Sequence, residues 1–507
     1  MSSPQPSTIP QRAEDFAPGI ERAFSFTPEE QSYNVDQIDG EIPSFISGTY
    51  FLNGPARFAR GGFRYHHWLD GDGMVCTLRF EEGHVHFANR FVRTAKFMAE
   101  EEAGRPIFRA FGTAFRSDRL KGGIGLESPV NVSVYPYAGT LLAFGEQGLP
   151  WQLDPMTLET RGQFTFGGSL NDLSPFAAHP KLDRATGEMF NFGVAFSAKR
   201  PTLNVYRFDG GANPIYRKRL PLPFACSVHD FGLSPSYAVF YLSPYILNIE
   251  ALTREGRTLM DSLTWEPERG SRLLIVSRET GELVSSIPLA GRYCLHLVNS
   301  FEEGRHLAID VVEFERPIYD QYQQLPDLFT DVGEGHPVRF LIDIEKRELI
   351  RRDEIDYKFA PDFPSIDPRH ATLPYREFWV LGISATGRTG RKFFDQLVHL
   401  DWSKGRARDV YQVPLMHYLG GEPIFLPDPR HETAGAVICQ VFDAEELTSD
   451  FAIFDANAIA GGPKATLHLR APIHLGFHAS FNPTAGTGST VPSFQGQETG
   501  HSSPVGS

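Results

Sequence analysis

The sequence predicts an all-β fold, a seven-bladed β-propeller with its loops and short helices gathered on one face. Three observations lead there. Seven segments repeat one pattern: an apolar strand, a turn rich in Asp, Gly, Glu or Lys, and a second alternating strand. Successive turns lie roughly 54 to 72 residues apart, longer than a kelch or WD40 period and suited to blades with long connections. Helical patterns are scarce. The segments 443–447 (Asp-Ala-Glu-Glu-Leu) and 320–324 are the short candidates, and both fall on the loop face.

In chain order the hairpins are TLRFEEGHVHFANRF (77–91), WQLDPMTLETRGQF (151–164), VYRFDGGANPIYRKRL (205–220) and LLIVSRETGELVSSI (273–287). FLIDIEKRELIRRDEI (340–355), LVHLDWSKGRARDVYQV (397–413) and AIFDANAIAGGPKATLHL (452–469) complete the set. Each turn carries residues that accept left-handed backbone or bond their own main chain, which is what a tight reversal needs.

Residues 1–30 are rich in Pro and Ser and are expected to be loosely ordered. Residues 484–507 offer almost nothing to bury and are expected to be disordered. Between them no linker-like shift in composition occurs, so 31–483 reads as a single propeller domain.

A content of 41% hydrophobic residues is ample for a large core. The net charge of −14, with no clustered Lys or Arg, argues against a nucleic-acid partner. No protein partner is evident either. Phe outnumbers Trp by 41 to 5, which fits a Phe-rich core or an apolar cavity for a long ligand. The four cysteines, Cys76, Cys226, Cys294 and Cys439, form no CxxC pair, so a zinc site or redox dithiol is disfavoured. The N-terminus shows no apolar signal-peptide core, and no apolar run approaches the ~20 residues of a membrane span. A cytoplasmic location is the expectation.

Of the seventeen histidines, four sit in apolar strand-end settings: His179 in SPFAAHP, His229 in SVHDF, His296 in YCLHLVN and His478 in LGFHA. Alone, each reads more readily as a satisfied core residue than as a ligand. Together, widely separated and therefore on different blades, they can converge on the propeller axis. Neutral imidazoles suit Fe, Cu, Zn or Ni rather than Mg or Ca, and spacing alone does not choose among these metals. Three acidic residues occupy equally apolar surroundings: Glu146, Asp362 and Glu422. A charge there is costly without a partner, and metal-bound His usually donates its second N–H to a carboxylate. His66 and His67 precede the WLDGDGM turn and read as structural.

At these residues the chain resembles the carotenoid cleavage oxygenase family along nearly its whole length. The matching stretches include FLNGPARF (51–58), HHWLDGDGMV (66–75), LLAFGEQGLPWQLDP (141–155) and AAHPKLDRATGEMFNFG (177–193). VHDFGLS (228–234), HLVNSFEEG (296–304), DFPSIDPR (362–369), GGEPIFLPDP (420–429) and GFHASFNP (476–483) follow in order. The resemblance implies a loop and short-helix dome over an axial metal site, with Fe(2+) held by His179, His229, His296 and His478. It implies that Glu146 orients His229, Asp362 orients His296 and Glu422 orients His478. It also implies a dioxygenase that uses O2 as co-substrate to cleave a conjugated C=C bond of a carotenoid or apocarotenoid into two carbonyl products. The substrate is then an apolar polyene.

Three departures stand out. Asp362 occupies a position that is usually Glu in the family, so its shorter arm predicts a longer or water-bridged bond to His296. Val132 follows Asn131 where many members carry Thr, and Ala479 follows the last His where Gly is usual. By the same resemblance, Val132 and Gly145 belong to the substrate pocket. Relatives resembling lignostilbene dioxygenases place a Lys at position 145, and Gly145, with no charge and extra room, favours polyenes over phenols. The alternatives are a stilbene-cleaving dioxygenase and a non-catalytic propeller that binds apolar ligands. Segments 109–121 and 245–252 mix aromatic, aliphatic and basic residues, and are candidates for peripheral membrane association as against burial under the dome.

Overall fold

A computed structural model gives the fold and describes residues 16–196, 200–318, 324, 325 and 327–484. Seven antiparallel sheets follow one another around a ring. The second blade runs Ser133–Tyr137, Thr140–Phe144, Trp151–Leu153, Thr160–Gln163, and the third Lys181–Leu182, Met189–Ala195, Thr202–Phe208, Pro214–Pro221. The fourth uses Gly232–Leu233, Tyr237–Leu242, Ser271–Ser277 and Leu283–Leu289, and the fifth Tyr293–Glu303, His306–Phe314, Gly335–Asp343 and Glu348–Glu354. The sixth is Asp362–Ile366, Glu377–Gly382, Gln396–Asp401 and Arg406–Gln412.

Both chain ends close the ring. In the first blade Gly48–Arg57, Asp72–Glu81 and His84–Phe91 are joined by Ala479–Pro483 at the inner edge and Gln31–Asn34 at the outer. The seventh blade, His417–Pro427, Gly435–Asp443, Thr448–Asp455 and Pro463–His468, takes Ile38–Gly40 on its outer edge. Sharing strands between the ends of the chain removes the free edges that an open sheet would leave.

Each of the seven hairpins anticipated in the sequence is a pair of adjacent strands in one blade: the outer pair in the second to sixth blades, and the pair just inside Gln31–Asn34 or Ile38–Gly40 in the first and seventh. Their turns work as their composition requires. Glu82 and Gly83 both take positive φ, 50° and 80°, the twist a two-residue hairpin loop needs. Asp154 accepts the N–H groups of Met156 and Thr157, and Asp209 those of Gly211 and Asn213, all at 2.9 Å.

The same device corrects the helix expected at 443–447. The Asp443 carboxylate accepts the N–H groups of Glu445 and Glu446 at 2.7 and 3.2 Å, and Leu447 turns left-handed at φ 58°. The chain reverses after one turn and starts the strand Thr448–Asp455. The other helical candidate, 320–324, lies outside the described residues except for Gln324. The longest helix among the described residues, Ala95–Ala103, was not anticipated. Thr94 caps it and Gly104 ends it at φ 63°.

The flexible N-terminal segment expected up to residue 30 is also corrected from residue 17 onward. Ala17, Ile20, Ala23 and Phe24 are buried in the largest core cluster. The Phe24 ring meets Phe58 edge-on at 5.5 Å, and the Ala17 N–H donates to Arg391 O at 3.0 Å. The Pro-rich composition hid an apolar i, i+3, i+6, i+7 set that docks on the dome.

Candidate metal centre

Every blade sends one of the seven expected groups to the axis. His179, His229 and His478 each stand one to three residues before an inner strand, at Lys181, Gly232 and Ala479. His296, Asp362 and Glu422 lie within inner strands instead. Each falls where pairing with the neighbouring strand slips: between Cys294 and Leu297, Asp362 and Ser365, and Gly420 and Ile424. A bulge releases the side chain from strict alternation and re-aims it. Glu146 follows the second strand of the second blade, Thr140–Phe144.

The four imidazoles converge, with one ring nitrogen of each within 4.8 Å of the others. His229 Nε2 lies 2.9 Å from His179 Nε2 and 3.2 Å from His296 Nε2. All four rings are buried. The outward nitrogens of three are taken by carboxylates. His229 Nδ1 meets Glu146 at 2.9 Å, His296 Nδ1 meets Asp362 at 2.5 Å and His478 Nδ1 meets Glu422 at 3.3 Å. Among the described residues no carboxylate pairs with His179.

These contacts fix the tautomers. A carboxylate accepts the Nδ1–H, which leaves the Nε2 lone pair directed inward. Facing lone pairs at about 3 Å repel unless a proton or cation lies between them, so the inward set is built for a cation. Four neutral nitrogen donors, with no thiolate or carboxylate among them, fit Fe, Cu, Zn or Ni. Burial, then the neighbouring rings of His478, His229 and His296, holds His179 well below the usual histidine range. Burial likewise lowers His478. Burial also opposes charge on His296 and Asp362, but their mutual attraction outweighs it, so His296 is raised and Asp362 lowered.

The bond expected to be long is the shortest of the three. Asp362 begins its strand at the bulge, and Phe363 beside it takes φ 52°. The pairing slip and the left-handed turn at Phe363 leave the shorter side chain in direct contact with His296. The Phe363 N–H also donates to Asp362 Oδ1 at 2.9 Å.

The centre opens on two unlike cavities. One is walled by Trp68, Val132, Leu295, Phe363, Phe394 and Phe477, with His67 beside them. The Trp68 and Phe477 rings lie 4.4 Å apart, and Phe363 lies 5.1 Å from the His478 ring. The other, of about 220 Å3, is mixed, with Tyr135, Lys181, Asp230 and Glu422 set beside Leu297 and Ile366. Sequence reasoning missed the aromatic wall. Its signal was a Phe or Trp beside a site residue, as in Phe363 next to Asp362 and Phe477 next to His478.

Val132 lines the aromatic cavity, and its carbonyl accepts the His478 N–H at 3.1 Å. Gly145 does not offer the extra room anticipated. A Cβ there would collide with Ser128 Oγ and lie 3.1 Å from Val130 Cα, so close approach of that segment dictates Gly. His67 is structural, its Nδ1 accepting the Leu69 N–H at 3.0 Å, though its ring also faces the aromatic cavity.

The two candidate membrane segments pack on each other. Leu247, Leu252 and Leu259 are buried with Phe111 and Leu120 around them. Arg109 is tied to Asp118 at 2.7 Å and donates to Leu252 O at 2.5 Å. Exposed apolar side chains remain nearby at Ile124 and Leu173. No helix among the described residues is long and apolar enough to cross a membrane.

A closed propeller with four imidazoles and three supporting carboxylates on its axis defines a class of β-propeller built around a non-haem, all-nitrogen metal site. Residues 24–483 match the family model RPE65, retinal pigment epithelial membrane protein, and the chain belongs to that family. It is 30% identical over 491 residues to an apocarotenoid-15,15'-oxygenase of Synechocystis sp., spanning 91% of this chain and 96% of that protein. It is 31% identical over 457 residues to an isoeugenol monooxygenase of Pseudomonas putida, spanning 86% and 93%. Cobalt-substituted Synechocystis ACO superimposes with a TM-score of 0.83 at 27% identity, over 93% of this chain and all of that one.

Proposed function

We propose that this protein is a non-haem Fe(II)-dependent dioxygenase that cleaves one conjugated C=C bond of an apocarotenoid or carotenoid. The observation that carries the reading is the four-imidazole centre open to an aromatic cavity. Residues 31–483 act in it as one catalytic unit, with His179, His229, His296 and His478 as the iron ligands.

Bound iron supplies activation of O2, and the overall reaction places one oxygen atom on each carbon of the broken double bond. The protein's part follows from its own groups. Glu146, Asp362 and Glu422 accept the Nδ1–H of three ligands and hold their rings in place. Trp68, Phe363 and Phe477 exclude water, and their faces favour positive character on a polyene lying among them. Among the described residues the lining of the aromatic cavity carries no Lys or Arg. A phenol would find no cation there to polarise its hydroxyl, which favours a polyene. The cavity measures only about 40 Å3 here, so an extended substrate enters as the Phe side chains shift.

The relatives act on apocarotenoid and on isoeugenol substrates by name, and cleavage of a phenolic alkene is the second reading. We further propose that Ile124 and Leu173 make peripheral contact with the membrane that holds the substrate. Aerobic incubation of iron-loaded protein with apocarotenals, carotenoids, hydroxystilbenes and isoeugenol, with both products identified by mass, tests the assignment. Paired carbonyl products from an apocarotenal are expected. Faster turnover of a hydroxystilbene or isoeugenol would overturn the polyene assignment and leave the metal centre standing.

A further inference from the structure

Beside the centre lies a carboxylate that touches no ligand ring yet reaches the neighbours of three. Asp230, 4% exposed, follows His229 directly. Its Oδ1 receives Lys181 Nζ at 2.8 Å and the Phe231 N–H at 2.8 Å. Its Oδ2 receives the Leu297 N–H at 2.8 Å. Lys181 stands two residues after His179, and Leu297 one residue after His296. One carboxylate therefore bridges the third, fourth and fifth blades at the points where their ligands leave the strands.

The need for such a bridge is local. Leu297 lies between two slips in pairing, one from Cys294 to Leu297 and one from Leu297 to Asn299, so the strand is not held by a regular ladder around His296. The inner strands that follow His179 and His229 pair over only two residues each, Lys181–Leu182 and Gly232–Leu233. Ladders this short hold a ligand loosely by themselves. The Lys181 ammonium lies 5.8 Å over the Phe231 ring, which adds a second hold on the same segment. His478 is anchored separately, its N–H on Val132 O and its carbonyl on the Asn53 N–H, both at 3.1 Å.

We propose that Asp230 is a positioning residue for the metal centre, fixing the mutual spacing of His179, His229 and His296 through Lys181 and Leu297. The inference rests on the reading of the four imidazoles as a metal site. Asparagine at 230 would keep an oxygen for one N–H. It would turn its amide hydrogens toward another N–H or the ammonium, leaving those donors unpaired.

The test titrates metal-free full-length protein with Co(II) and follows the visible ligand-field absorption, alongside steady-state kinetics of the iron-loaded enzyme. Asp230→Asn is expected to bind Co(II) roughly 10- to 100-fold more weakly, the usual effect of losing an outer partner, with a shifted band and a lower kcat at unchanged KM. Lys181→Met should shift the band the same way by less, and Lys181→Arg should restore it. A folded Asp230→Asn that lowers only the melting temperature, with the affinity and band of the parent, overturns the proposal. If Asp230→Asn does not fold, Lys181→Met decides, and an unchanged band and affinity there overturns it equally. Absence of any Co(II) binding by the parent protein would instead remove the metal site and the positioning role with it.

Discussion

Asp362 Oδ1 lies 2.5 Å from His296 Nδ1, closer than either glutamate comes to its imidazole. The shorter side chain makes the tighter contact at a point where strand pairing slips and Phe363 turns left-handed. Orientation of His296 therefore depends most on its carboxylate.

Asp362→Asn should lower activity and metal affinity by roughly 10- to 100-fold, and Glu422→Gln should cost less, since its contact is 3.3 Å. Glu146→Gln should also cost less, because that side chain is 35% exposed and water can replace its charge. Parallel measurements of kcat and iron retention check the order. A larger loss in Glu422→Gln than in Asp362→Asn would contradict it.

Gly145→Ala should destabilise the protein by about 1–3 kcal/mol, the usual effect of overpacking, because the new Cβ meets Ser128 Oγ and the Val130 backbone. Adding Ser128→Gly should recover part of the loss. Thermal unfolding reads both. Gly145→Lys should fail through this crowding rather than through a charge placed in the cavity, so its melting temperature should fall along with its activity. A Gly145→Ala protein that melts with the parent would show that the 128–130 segment yields freely.

A pH dependence of stability follows from His474, which is 1% exposed with neither ring nitrogen hydrogen-bonded. Burial pushes it down from 6.5 to about 3. The unfolded chain takes up a proton on this residue below about pH 6.5 and the folded chain does not until about pH 3. Stability from this source is complete above pH 6.5 and falls as the pH drops through that window. His474→Leu should flatten the profile of melting temperature against pH between 7 and 4. An identical slope in parent and variant would show that His474 does not set it.

One hairpin of each of the seven blades was legible in the sequence because its second strand alternates and its turn is rich in Asp, Gly, Glu or Lys. The inner strands were harder to read. His296, Asp362 and Glu422 reach the axis from bulges, and a bulge leaves no periodic trace. Their types and apolar neighbours pointed to them, while the length of the Asp362 contact depended on backbone geometry that no side-chain count contains. Gly145 shows the converse: the residue type was informative, but what faces it comes from a segment 15 to 17 positions earlier. Asp443-Ala-Glu-Glu-Leu447 has helix-forming composition and is a turn because its Asp bonds the main chain first.

His179, His229, His296 and His478 are expected to hold one iron together. Metal analysis of the full chain after anaerobic loading with Fe(II) and desalting tests it most directly, with each single His→Ala variant carried through beside the parent. The expected result is close to one iron per parent chain, with most of it lost from each variant while circular dichroism shows the fold retained. A parent that keeps no iron, or a variant that keeps a full equivalent with undiminished turnover, would contradict it.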